Sequence, residues 1–208
     1  MNIAFIGIGN VGFAIADNLQ KKGHRIIIGN NKVDSKSVKK AIESNPAFVA
    51  KSVQIAVDEA DIVFLATPFP AIASAVGGIR FNGKPLVDCT NPVGPGVTHG
   101  LRSEQSGSEE LQKHAPDAKV VKAFTIYGFE NFANPSFPQF NVKPVMLIAG
   151  NDNIAKQKIS VLIDEMGFFV KDTGPLSQSL HLEHMTLLWV KMVRMGGNPN
   201  FVWAYLES

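Results

Sequence analysis

Along the chain, short runs of apolar residues alternate with longer stretches in which apolar positions recur at helical spacing. The runs predict strands near Asn2–Gly7, Arg25–Gly29, Ile62–Thr67, Lys84–Asp88, Lys119–Phe124, Val145–Ala149 and Phe168–Lys171. Between the first two, residues 10–22 set Val11, Ile15 and Leu19, with the small Ala14 and Ala16, on one helical face. Gly23 ends that helix, because glycine adopts the left-handed conformation at little cost. Phe69–Val76 reads as a short helix, Ala155–Met166 as a second amphipathic helix closed by Gly167, and Ser177–Met195 as the longest. Asn91–Gly107, rich in Gly, Pro and Ser, is too polar for a core and reads as the longest loop. Strands alternating with helices are the pattern of βαβ units. The expected fold is therefore α/β, a doubly wound parallel sheet over residues 1–174. Residues 175–208 form a short C-terminal helical appendage laid across it or against a second subunit.

The first strand runs into Gly7-Ile8-Gly9-Asn10-Val11-Gly12 and then into a helix, which is the G-x-G-x-x-G pattern in the setting it requires. Gly7 permits the tight turn, Gly9 lets backbone approach a pyrophosphate, and Gly12 lets helix and strand lie close. The N–H groups of Asn10 and Val11 then point at phosphate oxygens from a helix N-terminus. This predicts a Rossmann NAD(P)-binding fold.

The end of the second strand selects the cofactor, because an acid there accepts from the ribose 2′-hydroxyl of NAD and repels a 2′-phosphate. Here Ile28-Gly29-Asn30-Asn31-Lys32 offers two amides and a cation, with no acid before Asp34. Asn30, Asn31 and Lys32 therefore predict NADP(H), unless the segment is only a solvated turn. Thr67, Pro68 and Phe69 leave the next strand at the sheet edge where ligands bind, with Thr67 set for ribose or pyrophosphate and Phe69 for adenine. Asn91, in Asn91-Pro92-Val93, follows the strand after that and is a candidate for the nicotinamide ribose.

Composition narrows the picture further. The 208 residues suffice for one domain but not for a nucleotide domain plus a large helical one. No apolar run approaches the roughly 18 residues of a membrane helix. No basic leader with a cleavage site precedes the first strand, so a cytoplasmic protein is expected. The single cysteine, Cys89, fits a reducing compartment and reads as core. A net charge of +2 with scattered Lys and Arg gives no reason to expect nucleic acid. His181 and His184 lie three apart on the last helix, yet no further ligands complete a metal site. Met185, Leu188, Trp189 and Met192 form an apolar stripe on that helix. The stripe reads as core or dimer interface rather than a flavin-binding wall, and Leu187, Leu188, Trp189, Met192, Met195, Phe201 and Trp203 together predict a homodimer held partly by this helix.

Gly7–Gly12, Thr67-Pro68, Asn91-Pro92-Val93, Val120–Phe124 and Gly174-Pro175-Leu176-Ser177, in this order and spacing, resemble the coenzyme F420-dependent NADP oxidoreductase family. The nucleotide domain of that family is similar to that of the Steap metalloreductases. The resemblance implies hydride transfer between NADP(H) and a planar acceptor: F420, a flavin, or a ferric chelate reduced through flavin. It sets Asn30–Lys32 where relatives hold the 2′-phosphate with Ser and Arg, and Ala123 and Thr125 beside the nicotinamide. Relatives have Asn or His at the position of Thr125, which leaves the acceptor open. No catalytic acid or base is expected, because hydride transfer depends on orientation and exclusion of water. The rivals are a reductase of a small carbonyl or imine, disfavoured for want of a proton donor, and a non-catalytic NADP(H)-sensing module.

Overall fold

The structure, a computed structural model, describes residues 1–208. The chain runs β1 (Asn2–Ile6), α1 (Asn10–Lys21), β2 (Arg25–Gly29), α2 (Lys36–Ser44), β3 (Val49–Lys51), α3 (Val53–Glu59), β4 (Ile62–Leu65), α4 (Ile72–Val76) and β5 (Pro85–Asp88). It continues with β6 (Val93–Gly94), β7 (Thr98–His99), α5 (Gly107–His114), β8 (Lys119–Lys122), α6 (Phe129–Ala133), β9 (Val145–Gly150), α7 (Asn153–Glu165), β10 (Phe169–Asp172) and α8 (Ser179–Gly196). The main sheet has eight strands in the order β10-β9-β8-β5-β4-β1-β2-β3. Strand order reverses between β1 and β4, the doubly wound arrangement in which ligands sit at the carboxyl ends of the strands. Register aligns those ends, since Gly29, Ile6, Leu65, Asp88 and Lys122 face one another in a row across five strands.

Alternation along the strands divides the interior between the two faces. Ile3 and Phe5 point into a cluster of 34 buried residues with α1, α2, α6 and α7. Ala4 and Ile6 point into a cluster of 18 with α3, α4 and α5. Buried on both faces, the central strands read as unbroken apolar runs.

The sheet is not parallel throughout. β9 lies antiparallel to β8, and β10 parallel to β9, so the last two strands are reversed relative to the other six. Parallel neighbours need a crossover, usually a full helix. The segment between β8 and β9 holds only the five-residue α6 and a 3₁₀ turn at Pro138–Phe140.

Residues 175–208 pack on the body of the protein. α8 touches α5, β7 and β9. The segment after it returns to β9, where Val145 N–H donates to Trp203 O at 2.9 Å and Tyr127 Oη bonds both Val145 O and Trp203 O. The expected stripe on α8 divides: Leu187 and Trp189 are buried, while Leu188, Met192 and Met195 are exposed. No helix is long and apolar enough to cross a membrane.

Candidate cofactor site

The glycine loop crosses from β1 to α1 beside the strand-order reversal. Gly7 has φ +96°, and a Cβ there would lie 2.6 Å from Ala66 O, so only glycine fits. A Cβ on Gly12 would collide with Gly7 O, which lets α1 start hard against the loop. Gly9 differs, because nothing lies within 4 Å of the space a Cβ would take. It is the N-cap of α1 and no side chain caps the helix, so its first N–H groups face open space. Beside them is a 520 Å³ cavity lined by Ile8, Gly9, Asn10, Phe13, Lys40 and Phe129 among others. Asn10 is exposed and Val11 half-buried at its rim.

Thr67 follows β4 and lies against the loop, its Cγ2 2.9 Å from where a Cβ on Gly7 would stand. Its Oγ1 is buried and has no hydrogen-bond partner, a cost tolerated where a ligand completes the bond. Pro68 starts the 3₁₀ turn leading to α4. The ring of Phe69 packs toward Gly107 at the start of α5 and onto the smaller core.

After β2, Asn30 Oδ1 accepts from Lys32 N–H at 2.8 Å, while Asn30 Nδ2 donates to Ser35 Oγ at 3.3 Å. Asn31 Oδ1 accepts from Val53 N–H at 3.1 Å and ties the loop to α3, leaving its amide NH₂ to donate. Lys32 is exposed. Ser35, the N-cap of α2, and Ser37 stand 3.4 Å apart beside Asn30, and the sequence reading overlooked both. A Ser before a helical run is a capping signal that marks them.

At the ends of β5 and β8, Thr125 Oγ1 donates to Asn91 Oδ1 at 2.5 Å. Thr186 of α8 donates to Thr125 O at 2.7 Å. Ala123 N–H reaches Asp88 O at 3.3 Å. Between Ala123 and Thr125, buried Phe124 takes φ +54°, rare for a bulky residue and a form of strain found at functional sites. Its N–H donates to Met146 Sδ.

Beneath these loops lies a charged cluster that the sequence reading missed. Lys122, Asp88 and Glu183 have side chains at most 1% exposed, and His99 3%. Lys122 Nζ is 3.1 Å from Asp88 Oδ2, 2.9 Å from Glu183 Oε1 and 2.6 Å from Thr90 O. Burial works against its charge, but Asp88 and Glu183 outweigh burial and raise its pKa. The neighbouring Cys89 thiol is pushed well up by burial and then by Asp88. A lysine amid the apolar run of β8 was the one sequence signal for this cluster. His181 and His184 are exposed, and His184 Nε2 lies 2.9 Å from Ser103 Oγ.

A glycine loop at the reversal, an open helix N-terminus and an unpaired hydroxyl beside it define the class as a dinucleotide-binding domain of the doubly wound type. Comparison with known proteins adds a resemblance to one family. Residues 2–92, which carry the loop, the β2 turn, Thr67 and Asn91, match the family described as NADP oxidoreductase, coenzyme F420-dependent. Over that segment the chain is similar to this family of NADP oxidoreductases. It is also 26% identical over 189 residues to the metalloreductase STEAP3 of Rattus norvegicus, covering 89% of this chain and 36% of that protein. The chain thus spans about a third of the length of that relative. Two solved structures share the fold. One, from Arthrobacter sp. FB24 and assigned as an F420 dependent NADP-reductase, has TM-score 0.86 and 24% identity with both chains covered in full. The other is a reductive aminase from Aspergillus terreus with NADPH, at TM-score 0.68 and 16% identity over 94% of this chain and 62% of that one.

Proposed function

We propose that this protein binds NADPH across the carboxyl edge of its sheet and passes hydride to a planar redox acceptor: F420, a flavin, or a ferric chelate reduced through flavin. The reading is carried by the open N-terminus of α1 at Gly9, with the orphan Thr67 hydroxyl on the residue that packs against Gly7 of the same loop. Gly7–Gly12, with the N–H groups of Asn10 and Val11, receive the pyrophosphate. Asn30, Asn31 and Lys32 receive the 2′-phosphate, with Ser35 and Ser37 as further donors. Thr67 Oγ1 donates to the cofactor backbone, and Pro68 and Phe69 shape the wall beyond it. Asn91 lies at the nicotinamide, with Ala123 and Thr125 buried behind it.

Bound NADPH supplies the hydride. The chain binds, orients and excludes water, which suffices for a step between two stacked rings. The buried Thr125 holds Asn91, so Asn91 presents a fixed face to the ligand. Residues 175–208 belong to the same functional unit as 1–174, because Thr186 fixes Thr125 from α8. The exposed residues of α8 pair two copies into a homodimer.

The test is NADPH oxidation with F420, FMN, FAD and ferric citrate with and without flavin, followed at 340 nm. NADPH-dependent reduction of one of them is expected. Tight NADPH binding without turnover on any acceptor would instead indicate an NADP(H) sensor, and turnover only with small imines or carbonyls would indicate the rival enzyme.

A further inference from the structure

The Lys122 cluster has a charge count that its hydrogen bonds decide. His99 Nδ1 accepts from the backbone N–H of Leu101 at 3.3 Å and of Ser103 at 3.1 Å, so that nitrogen carries no proton. The ring proton sits on Nε2 and is donated to Glu183 Oε2 at 2.9 Å. A second proton would face two donors, so His99 is neutral in this arrangement.

Both carboxylates are fully satisfied as anions. Asp88 accepts from Thr90 N–H, Thr90 Oγ1, Ser108 Oγ and Lys122. Glu183 accepts from Lys122, His99 and the Gly107 N–H in the first turn of α5. One ammonium therefore faces two carboxylates, with Cys89 neutral through burial and His184 exposed at the edge.

This cluster adjoins the nicotinamide end of the site. Lys122 bonds Thr90 O, one residue before Asn91. Glu183 lies three residues before Thr186 on α8, about 4.5 Å along the helix axis, and Thr186 bonds Thr125.

We propose that the Lys122–Asp88–Glu183–His99 cluster is a built-in redox bias: one net buried negative charge beneath the nicotinamide that stabilises its oxidised, positively charged form. The inference rests on the NADPH reading above. In the reaction the nicotinamide C4–H bond breaks and its electron pair leaves with the hydrogen to the flavin-type acceptor. The ring left behind becomes cationic while the acceptor becomes an anion or takes up a solvent proton. A fixed anion near the ring favours that outcome and makes bound NADPH a stronger donor than free NADPH. Two unit charges about 10 Å apart in a partly buried setting change such an equilibrium by about tenfold.

The experiment compares dissociation constants of NADP⁺ and NADPH for wild type, Glu183→Gln and Asp88→Asn. Each variant removes one negative charge through different contacts. NADP⁺ should weaken by about tenfold in both, with NADPH changed less than about threefold. Equal weakening of both nucleotides, or no change in their ratio, overturns the proposal, because a purely structural role predicts no selectivity for the oxidised form. Should the variants not fold, wild type still decides through ¹⁵N spectra of His99 at pH 7. Protonation at Nε2 alone supports the charge count, whereas protonation at both nitrogens neutralises the cluster and overturns it. Wild type that binds neither nucleotide fails the cofactor reading itself and this inference with it, a result distinct from an unchanged ratio.

Discussion

Thr125 and Asn91 stand 34 residues apart in sequence and meet side chain to side chain at 2.5 Å, closing the space between the ends of β8 and β5. Because Thr186 bonds the Thr125 carbonyl, α8 fixes this closure from behind. Thr125→Val keeps the shape but removes the hydroxyl, leaving Asn91 Oδ1 without its donor. With pyrophosphate and 2′-phosphate contacts intact, NADPH affinity should change less than about threefold. Hydride transfer should slow about tenfold or more, since loss of one buried hydrogen bond costs roughly 1–3 kcal/mol. Fluorescence titration and single-turnover NADPH oxidation separate the two. A large loss of affinity with an unchanged rate would mean that the pair holds the fold and not the ring.

Gly9 and Gly12 of the loop should fail in different ways. Gly9 has φ −73° and open space about it, so Gly9→Glu should keep native circular dichroism while its carboxylate displaces the pyrophosphate and abolishes NADPH binding. Gly12→Ala drives a methyl into Gly7 O and should cost about 1–3 kcal/mol in urea unfolding, as overpacking does. Undiminished NADPH affinity in Gly9→Glu would remove the pyrophosphate assignment.

Cys89 should be chemically silent. Burial first, then the adjacent Asp88, holds its thiol protonated far above the ordinary range. Ellman's reagent at pH 8 should leave the native protein unmodified and titrate one thiol in urea. The linkage has a definite sign: above pH about 8.5 the unfolded thiol loses its proton while the folded one keeps it. This contribution to stability is full below that pH and declines as pH rises. Cys89→Ala should flatten the decline between pH 8 and 9.5, and fast native labelling would contradict the assignment.

The parts of this molecule legible in its sequence are those dictated locally. Gly7–Gly12 demands a particular backbone, and unbroken apolar runs demand buried strands, so the loop, β1, β2, β4, β5 and β8 were readable. β3 is only three residues long, and no periodicity emerges at that length. α5 was readable in principle, because Ser106 and Glu109 form a capping box after the polar loop. Strand direction at β9 was not, since it depends on how the chain returns between residues 123 and 144. Nor was the charged cluster, whose members come from β5, β7, β8 and α8 and meet only on folding: His99 and Glu183 are 84 residues apart. The α8 stripe blurred Trp189, which turns inward onto Phe201, with its outward neighbour Leu188.

Association should depend on the outward residues. Leu188, Met192 and Met195 are 50%, 41% and 89% exposed and follow helical spacing on α8. Symmetric pairing through this stripe predicts sedimentation near twice the 22.5 kDa of one chain. Met192→Glu should return monomers with unchanged circular dichroism, and a wild-type monomer at micromolar concentration would refute the dimer.

Cofactor preference should reside in the turn after β2. Asn30 braces it by accepting from Lys32 N–H, Asn31 anchors it to α3, and the Lys32 ammonium stays exposed. A charge-assisted hydrogen bond to phosphate is worth roughly 1.5–3 kcal/mol. Lys32→Ala should therefore weaken NADPH by about ten- to a hundredfold and leave NADH nearly unaffected. Asn30→Asp keeps the acceptor for Lys32 N–H, adds one for a ribose 2′-hydroxyl and repels a 2′-phosphate. Combined with Lys32→Ala, it should reverse the preference. Dissociation constants of both nucleotides, measured at low and moderate salt, test this, because an exposed phosphate–lysine contact weakens with screening. Equal wild-type affinity for NADPH and NADH, or equal loss of both in the double variant, would reduce the turn to a solvated connection between β2 and α2.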